Sequence, residues 1–308
     1  MAFLTLADLA ALQNSDVLTG LIEDVTTYAP EFNTVPAKTK PGTSYYVTRR
    51  TSLPTASFRS VNAGATPTKS AFQRDLKEMF FLDCPLQVDE AIVKGDDASL
   101  GDVLSLEARA ALQASINTIG SQFYYGTSAD ASGFVGLRDQ TVSSVAAGGT
   151  TNTTSAYLVW LDPQGVQFVV GRDGEISLPS FAKQQVVDPN DSAKRMMAYV
   201  SNLSSYIGLQ VGSNQAVWSI TGVETASTRY VSDARGAQLL KAVPMSRRSG
   251  LRWFMNRTAA YTLQLSRSAI GNQVANKAGL GAFSQMPEEL CGIPITVTDS
   301  LVDTETNS

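Results

Sequence analysis

At 308 residues, with 43% hydrophobic and 17% charged side chains, the chain is long enough for one large domain or two modest ones and too apolar to be chiefly disordered. Its 24 basic and 28 acidic residues leave a formal charge of −4, which argues against a dedicated nucleic-acid binder but not against a protein that encloses DNA, since a near-neutral wall would not hold packaged DNA fast. The chain contains no histidine, so Ser-His-Asp and Cys-His catalysis, His-based zinc sites and histidine pH switches are excluded.

Residues 5–27 read as two short amphipathic helices. Leu6, Leu9, Ala10 and Leu12 form one stripe and Val17, Leu18, Leu21, Ile22 and Val25 another, with Ser15 or Asp16 as N-cap. The first residues have no basic leader region, and no apolar run nears the ~20 residues of a membrane helix. The expectation is a soluble chain made in a reducing cytoplasm. Pro30 and Pro36 close this arm.

Thr43 to Arg50 and Ala56 to Val61 are β-rich with alternating polarity, joined through Ser52, Leu53 and Pro54 and punctuated by Gly42, Gly64 and Pro67. Arg49, Arg50, Arg59, Lys69, Arg74 and Lys77 decorate the segment. It reads as a long twisted β-hairpin with little core of its own. Because isolated two-stranded hairpins are marginal in water, it is expected to lie on another subunit, and these six cations become candidate intersubunit contacts.

Residues 99–124 carry the clearest helical pattern. Leu104, Ala108, Leu112, Ile116, Ile119 and Phe123 recur every three or four residues, opposite Asp102, Glu107, Arg109, Gln113 and Asn117. Asp96 and Asp97 precede it and suit a helix N-terminus electrostatically. Ser143 to Ser155 is low in complexity and reads as a flexible loop. Without a Walker lysine, its Gly-Gly-Thr-Thr run is no phosphate site. Strands are expected at 157–161, 166–170, 198–206, 217–223 and 293–298, with one helix at about 252–268. Because strands and helices are segregated, the fold class is α+β.

The remaining motifs have plain readings. Asp188 to Asp191 lacks the glycine and distal glutamate of a calcium loop and is a turn, and Ser192 with Lys194 has no hydrolase motif around it. Trp160, Trp218 and Trp253 sit among apolar neighbours as core anchors. Cys84 and Cys291, also in apolar surroundings, read as buried free thiols. The cluster Arg247, Arg248 and Arg252 is either a solvated turn or an intersubunit or anion contact at the start of the next helix. No catalytic residue, metal site or cofactor is expected.

Several segments, in order, resemble the major capsid proteins of tailed bacteriophages. Gly42 to Arg50 (GTSYYVTRR), Ser52-Leu53-Pro54 and Phe58 to Gly64 are similar to the extended loop of that family. Val88-Asp89, the helix ending in Phe123-Tyr124-Tyr125-Gly126 and the run Gly133 to Leu137 resemble its spine helix and the segment after it. Tyr157 to Trp160, Gly208 to Val211, Trp253 to Thr258 and Gly292 to Ile295 with Asp299 resemble its axial domain and closing strand.

The resemblance implies the Hong Kong ninety-seven type capsid fold, divided as an N-terminal arm (1–36), an extended loop (37–85), a peripheral domain with the spine helix (86–145), an axial domain with some returning peripheral strands (146–298) and a tail (299–308). It implies hexamers and pentamers in an icosahedral shell around double-stranded DNA, in a virion made in a bacterial cytoplasm. Portal, scaffolding and decoration proteins are the implied partners, with no membrane. The arm starts near Met1, so the scaffolding segment of some relatives is expected to be separate or removed. Lys38, Lys40, Lys69 and Lys77, with Asn272 and Asn276, show no sign of the Lys–Asn cross-link that some relatives make. The alternatives are an encapsulin-like compartment shell and, from another class, a hydrolase.

Overall fold

The computed structural model describes residues 27–91, 100–171, 177–188, 191–226, 228–274 and 287–306, with backbone alone at 100–103 and 268–274. The expected helices of residues 5–27, the pair Asp96-Asp97, the middle of the Asp188–Asp191 turn and Asn276 lie outside the described residues.

Two sheets and one long helix organise the chain. The first sheet contains β1 (Ala37–Thr39), β4 (Phe80–Asp89), β7 (Val166–Val170), β8 (Ala182–Val187) and β9 (Arg195–Val211), ordered β1-β7-β9-β4 with β8 also on β9. β9 runs for 17 residues, about 55 Å at strand rise. β4 pairs antiparallel with 198–207 along one edge, while β8 and β7 pair with 195–200 and 207–211 on the other. The sequence pattern found β7 and, of β9, only 198–206, and gave β4 and β8 no strand. β8 is mostly exposed and carries little apolar pattern to reveal it.

Helix α2 (Leu100–Tyr125) packs against β4 and β9. Its 26 residues span about 39 Å, and Gly126, at φ +54°, ends it in the left-handed region. The buried stripe is Ala111, Ser115, Ile119, Gln122 and Phe123, whereas Leu112 is 41% exposed. The core-facing line is therefore rotated from the expected one by the polar Ser115 and Gln122. Their side chains bond backbone carbonyls, Ser115 to Ala111 and Gln122 to Phe134, and so can be buried.

The second sheet has the order β12-β13-β11-β6-β10-β5, from β5 (Ser143–Ala146), β6 (Thr154–Trp160), β10 (Val217–Val223), β11 (Leu251–Met255), β12 (Glu289–Leu290) and β13 (Ile293–Val297). Every residue of the central strand β6 is buried, as a doubly covered strand requires. Helices α3 (Asp233–Leu240) and α4 (Arg257–Val274) bury Leu239, Ala259, Ala260 and Leu263 in the same core. Among the described residues no helix is long and apolar enough to cross a membrane.

Two expectations are corrected here. The helix expected at 252–268 is a strand followed by a helix: Trp253, Phe254 and Met255 lie in β11, between β6 and β13, and are fully buried. Asn256 separates the two elements by accepting the amide of Ala259 at 2.8 Å, an N-cap bond. The expected loop of 143–155 contains β5, parallel to β10, and the start of β6, with Thr153, Thr154 and Ser155 buried.

Aromatic rings fuse the two sheets. Phe123, completely buried, lies 5.3 Å from Phe168 of the first sheet and 6.1 Å from Phe254 of the second, while Tyr124 lies 5.6 Å from Tyr157. Trp160, Trp218 and Trp253 are core anchors, as their neighbours suggested. The cysteines are free but not buried: Cys84 is half-buried on β4 and Cys291 is exposed in the β12–β13 turn, at φ +54°. That turn forces residue 291 outward whatever its polarity.

Candidate assembly surfaces

The hairpin is a sheet of its own. Strand β2 (Ser44–Ser52) pairs antiparallel with β3 (Ala71–Glu78), from Ser44 opposite Glu78 to Ser52 opposite Ala71. The return strand is thus 71–78 and not 56–61. Residues 53–70 form an irregular tip in which nearly every side chain is exposed. Ala56 to Val61 alternates in polarity, but Pro54 and Pro67 enclose it and leave it without a paired strand.

Strand alternation gives the hairpin two different faces. One carries Tyr45, Val47, Arg49, Asp75 and Lys77, half-covered by the chain's own body. Tyr45 donates its hydroxyl to Gln210 Oε1 at 2.5 Å, and burial pushes its pKa up to about 12. Arg49 donates to Asn214 Oδ1, and its Nε lies 3.1 Å from Asp75. Burial also lowers the Lys77 ammonium pKa, against the pull of Asp75. Gly208 of β9 lets this base approach: a Cβ there would stand 2.5 Å from the Glu78 carbonyl oxygen.

The other face carries Tyr46, Arg50, Phe72, Arg74 and Leu76. Tyr46, Phe72 and Leu76 are 56%, 62% and 47% exposed. The Arg74 guanidinium sits 3.8 Å from the centroid of Tyr46, and that of Arg50 lies 5.4 Å from Phe72. Stacked this way, the arginines cover ring faces and keep their donors outward. At the tip, Leu53, Phe58 and Val61 are also largely exposed.

The sequence-selected cations therefore separate. Arg49 and Lys77 line the half-covered face, whereas Arg50 and Arg74 line the open one. Arg59 and Lys69 are at the exposed tip, where Arg59 donates to the Ala63 carbonyl at 2.8 Å. Arg247 is elsewhere, stacked 4.7 Å over Trp160 and bonded to Ser213 Oγ at 2.6 Å and to the Gln215 carbonyl. Desolvation there lowers its pKa. It lies with Arg49 in the lining of a cleft of about 750 Å³ between hairpin and body. Arg248 is exposed, and the cluster leads into β11, which contains Arg252, and not into a helix. Tyr45, Gln210, Asn214 and the open-face aromatics were not selected from sequence, although the period of two through Tyr46, Thr48 and Arg50 was a signal for that face.

Two buried carboxyl groups hold the ends of the described chain, and neither was selected from the sequence. Glu31, in the single turn α1 (Glu31–Thr34), is fully buried; its Oε1 accepts Tyr124 Oη at 2.8 Å and Thr298 Oγ1 at 2.5 Å. Glu305 is 5% exposed; it accepts Tyr125 Oη at 2.7 Å and the Ser155 hydroxyl. Desolvation raises the pKa of both acids.

Residues 32–308 match the family model of the major capsid protein GP7. The chain belongs to that family. It is accordingly a phage capsid protein, a virion component that assembles with itself into the shell. No curated protein matches it by sequence.

Solved structures agree in fold. A chain of the bacteriophage Epsilon15 structure superposes with a TM-score of 0.70 at 17% identity, covering 99% of this chain and 97% of that one. The bacteriophage JBD30 capsid gives 0.54 at 12%, covering 96% and 98%. The capsid of Myoviridae phage XM1 gives 0.50 at 12%, covering 68% and 97%. At such identities the likeness establishes the tailed-phage capsid fold, as the ordered resemblance implied.

Proposed function

We propose that this capsid protein closes as hexamers and pentamers into an icosahedral shell around double-stranded phage DNA, each hairpin lying on a neighbouring copy. The single observation that carries this reading is the open face of the hairpin. Three large apolar side chains there and three at the tip stand in solvent on a two-stranded element without a core. Such an element gains stability only when something covers it. Rings of two sizes built from one chain need a part that adjusts, and the hairpin, tied to the body mainly at Tyr45 and Arg49, supplies it.

Within this reading the cations divide their work. Arg49, Lys77 and Arg247 fix the hairpin base against its own body, while Arg50, Arg74, Arg59, Lys69 and Arg248 meet the neighbour. Enclosure of DNA rests on volume and not on a basic face, in keeping with a net charge of −4. Portal, scaffolding and decoration proteins complete the particle, which is built in the bacterial cytoplasm. Electron microscopy of the purified protein, with a nuclease-protection assay on its contents, tests this. Closed shells with five- and six-fold capsomers that protect double-stranded DNA are expected. Protein cargo in place of DNA would favour an encapsulin-like compartment, and a stable monomer at high concentration would refute the proposal.

A further inference from the structure

One face of the first sheet carries a strip that its own chain leaves open. β4 and β9 set Phe81 opposite Tyr206, Asp83 opposite Ser204, Pro85 opposite Asn202 and Asp89 opposite Ala198. Directly opposed residues share a face. The alternate pair Val88 and Tyr199 packs against Leu104 of α2, so the strip lies on the side away from that helix. The rings of Phe81 and Tyr206 meet at 4.9 Å between centroids, yet remain 53% and 43% exposed. Asp83 and Pro85 beside them are exposed too. On this face β4, β8 and β9 carry two acids, Asp83 and Asp89, and no basic residue.

The chain's own hairpin does not cover the strip. It runs the other way along β9: the Glu78 carbonyl sits over Gly208, Tyr45 bonds Gln210 and Arg49 bonds Asn214, each farther along the chain from Tyr206. Those contacts use the Tyr45 and Arg49 face, so the face of Tyr46, Arg50, Phe72, Arg74 and Leu76 is turned from its own body.

Charge divides between the two parts. Residues 44–78 hold six basic and two acidic residues, a net +4, and the rest of the chain holds the other 18 basic and 26 acidic residues, a net −8. From the Tyr46–Leu76 pair to Ser52, the open face bears Arg50 and Arg74 and no acid. Among the described residues Asp83, Arg50 and Arg74 form no ion pair. At strand rise Tyr46 to Arg50 spans about 14 Å and Phe81 to Asp89 about 27 Å, so the strip is long enough for the whole open face.

We infer that the strip of Phe81, Asp83 and Tyr206 is the seat of a second copy's hairpin, where its two rings receive the open-face apolar side chains and Asp83 pairs with Arg74 or Arg50. This rests on the reading that the hairpin lies on a neighbour and adds which surface of the neighbour receives it. An arginine stacked on a ring keeps its donors free at its edge, so Asp83 is met without unstacking Arg74 from Tyr46 or Arg50 from Phe72. Opposite signs on hairpin and body also steer the encounter and make assembly sensitive to salt.

The test is charge reversal, read by light scattering as the threshold concentration for shells. Asp83→Arg sets like charges together and should raise the threshold about ten-fold or more, and reversal of its partner, by Arg74→Asp or Arg50→Asp, should do the same. All three positions are open, so the unfolding midpoint of unassembled chain should stay unchanged. One of the double variants, Asp83→Arg with Arg74→Asp or Asp83→Arg with Arg50→Asp, should bring the threshold most of the way back. A wild-type threshold for Asp83→Arg, or no restoration by either double variant, would overturn the inference. Should Asp83→Arg not fold, Asp83→Asn decides: its threshold must be raised and depend less on salt than the wild-type threshold, and an equal salt dependence refutes the pairing. Phe58→Ser separates the two readings. A raised threshold there without restoration by either double variant removes only the assigned seat, whereas unchanged thresholds in Phe58→Ser and in both arginine reversals remove neighbour docking as well.

Discussion

Replacing Phe58 with serine should leave the single chain intact and weaken the shell. The Phe58 ring is 109% exposed and belongs to no core cluster. Surface substitutions of this kind change chain stability by no more than about 0.5 kcal/mol. If a neighbour buries the ring, the same change removes about 1.5–3 kcal/mol from each contact. At about 1.4 kcal/mol per factor of ten, each contact weakens by roughly 10- to 150-fold, and a closed shell multiplies that loss over its copies. Chain stability is read by denaturant unfolding of unassembled protein, and assembly by light scattering against concentration. The expected pair of results is an unchanged unfolding midpoint and a strongly raised threshold concentration for shells, with Phe58→Leu in between. An unchanged threshold would refute neighbour burial. A chain destabilised by more than about 1 kcal/mol would mean that the tip packs on its own body.

Phe123→Ala should do the reverse, destabilising the unassembled chain by about 3–5 kcal/mol in the same denaturant assay, because it empties the ring that joins the two sheets. Asp233 accepts two bonds from Arg267, at 2.8 and 2.7 Å, which hold its carboxyl below the ordinary 3.8. That stability is present above pH 3.8 and lost as pH falls through the folded pKa. Since the pair is well exposed, Asp233→Asn should lower stability at neutral pH by no more than ~1 kcal/mol and flatten the acid limb of a thermal-melt series. Cys291→Asn should raise the melting temperature modestly, by about 0.5–1 kcal/mol of stability, because Cys291 and Gly292 both adopt positive φ in a two-residue turn that favours Asn-Gly.

How far each element was legible in the sequence depends on how much it owes to distant partners. Helix α2 was legible to within a residue at each end, since a 26-residue periodic run specifies itself. β7 and β10 were legible as bounded apolar runs. β11 was read as part of a helix because a short, fully buried strand has no alternation, and Met255 continues the four-residue spacing of Ala259 and Leu263 in the helix that follows. β3 was misplaced because charged, half-exposed strands such as Ala71–Glu78 are defined by their register with β2, which local pattern does not encode.

The site was legible only in part. That the hairpin would lack a core was visible in its polar alternation. The division of Arg49 and Lys77 from Arg50 and Arg74 was not, since it depends on which face meets Gln210 and Asn214. Glu31 and Glu305 were hidden for a related reason: nothing local marks a glutamate that will be buried against a tyrosine about 93 or 180 residues away.

A density map of assembled particles at side-chain resolution tests most directly whether neighbours complete the hairpin. Phe58 and the open-face residues Tyr46, Phe72 and Leu76 are expected within about 4.5 Å of side chains from an adjacent copy. Finding residues 44–78 bathed in solvent, or folded back on their own chain, would contradict neighbour completion.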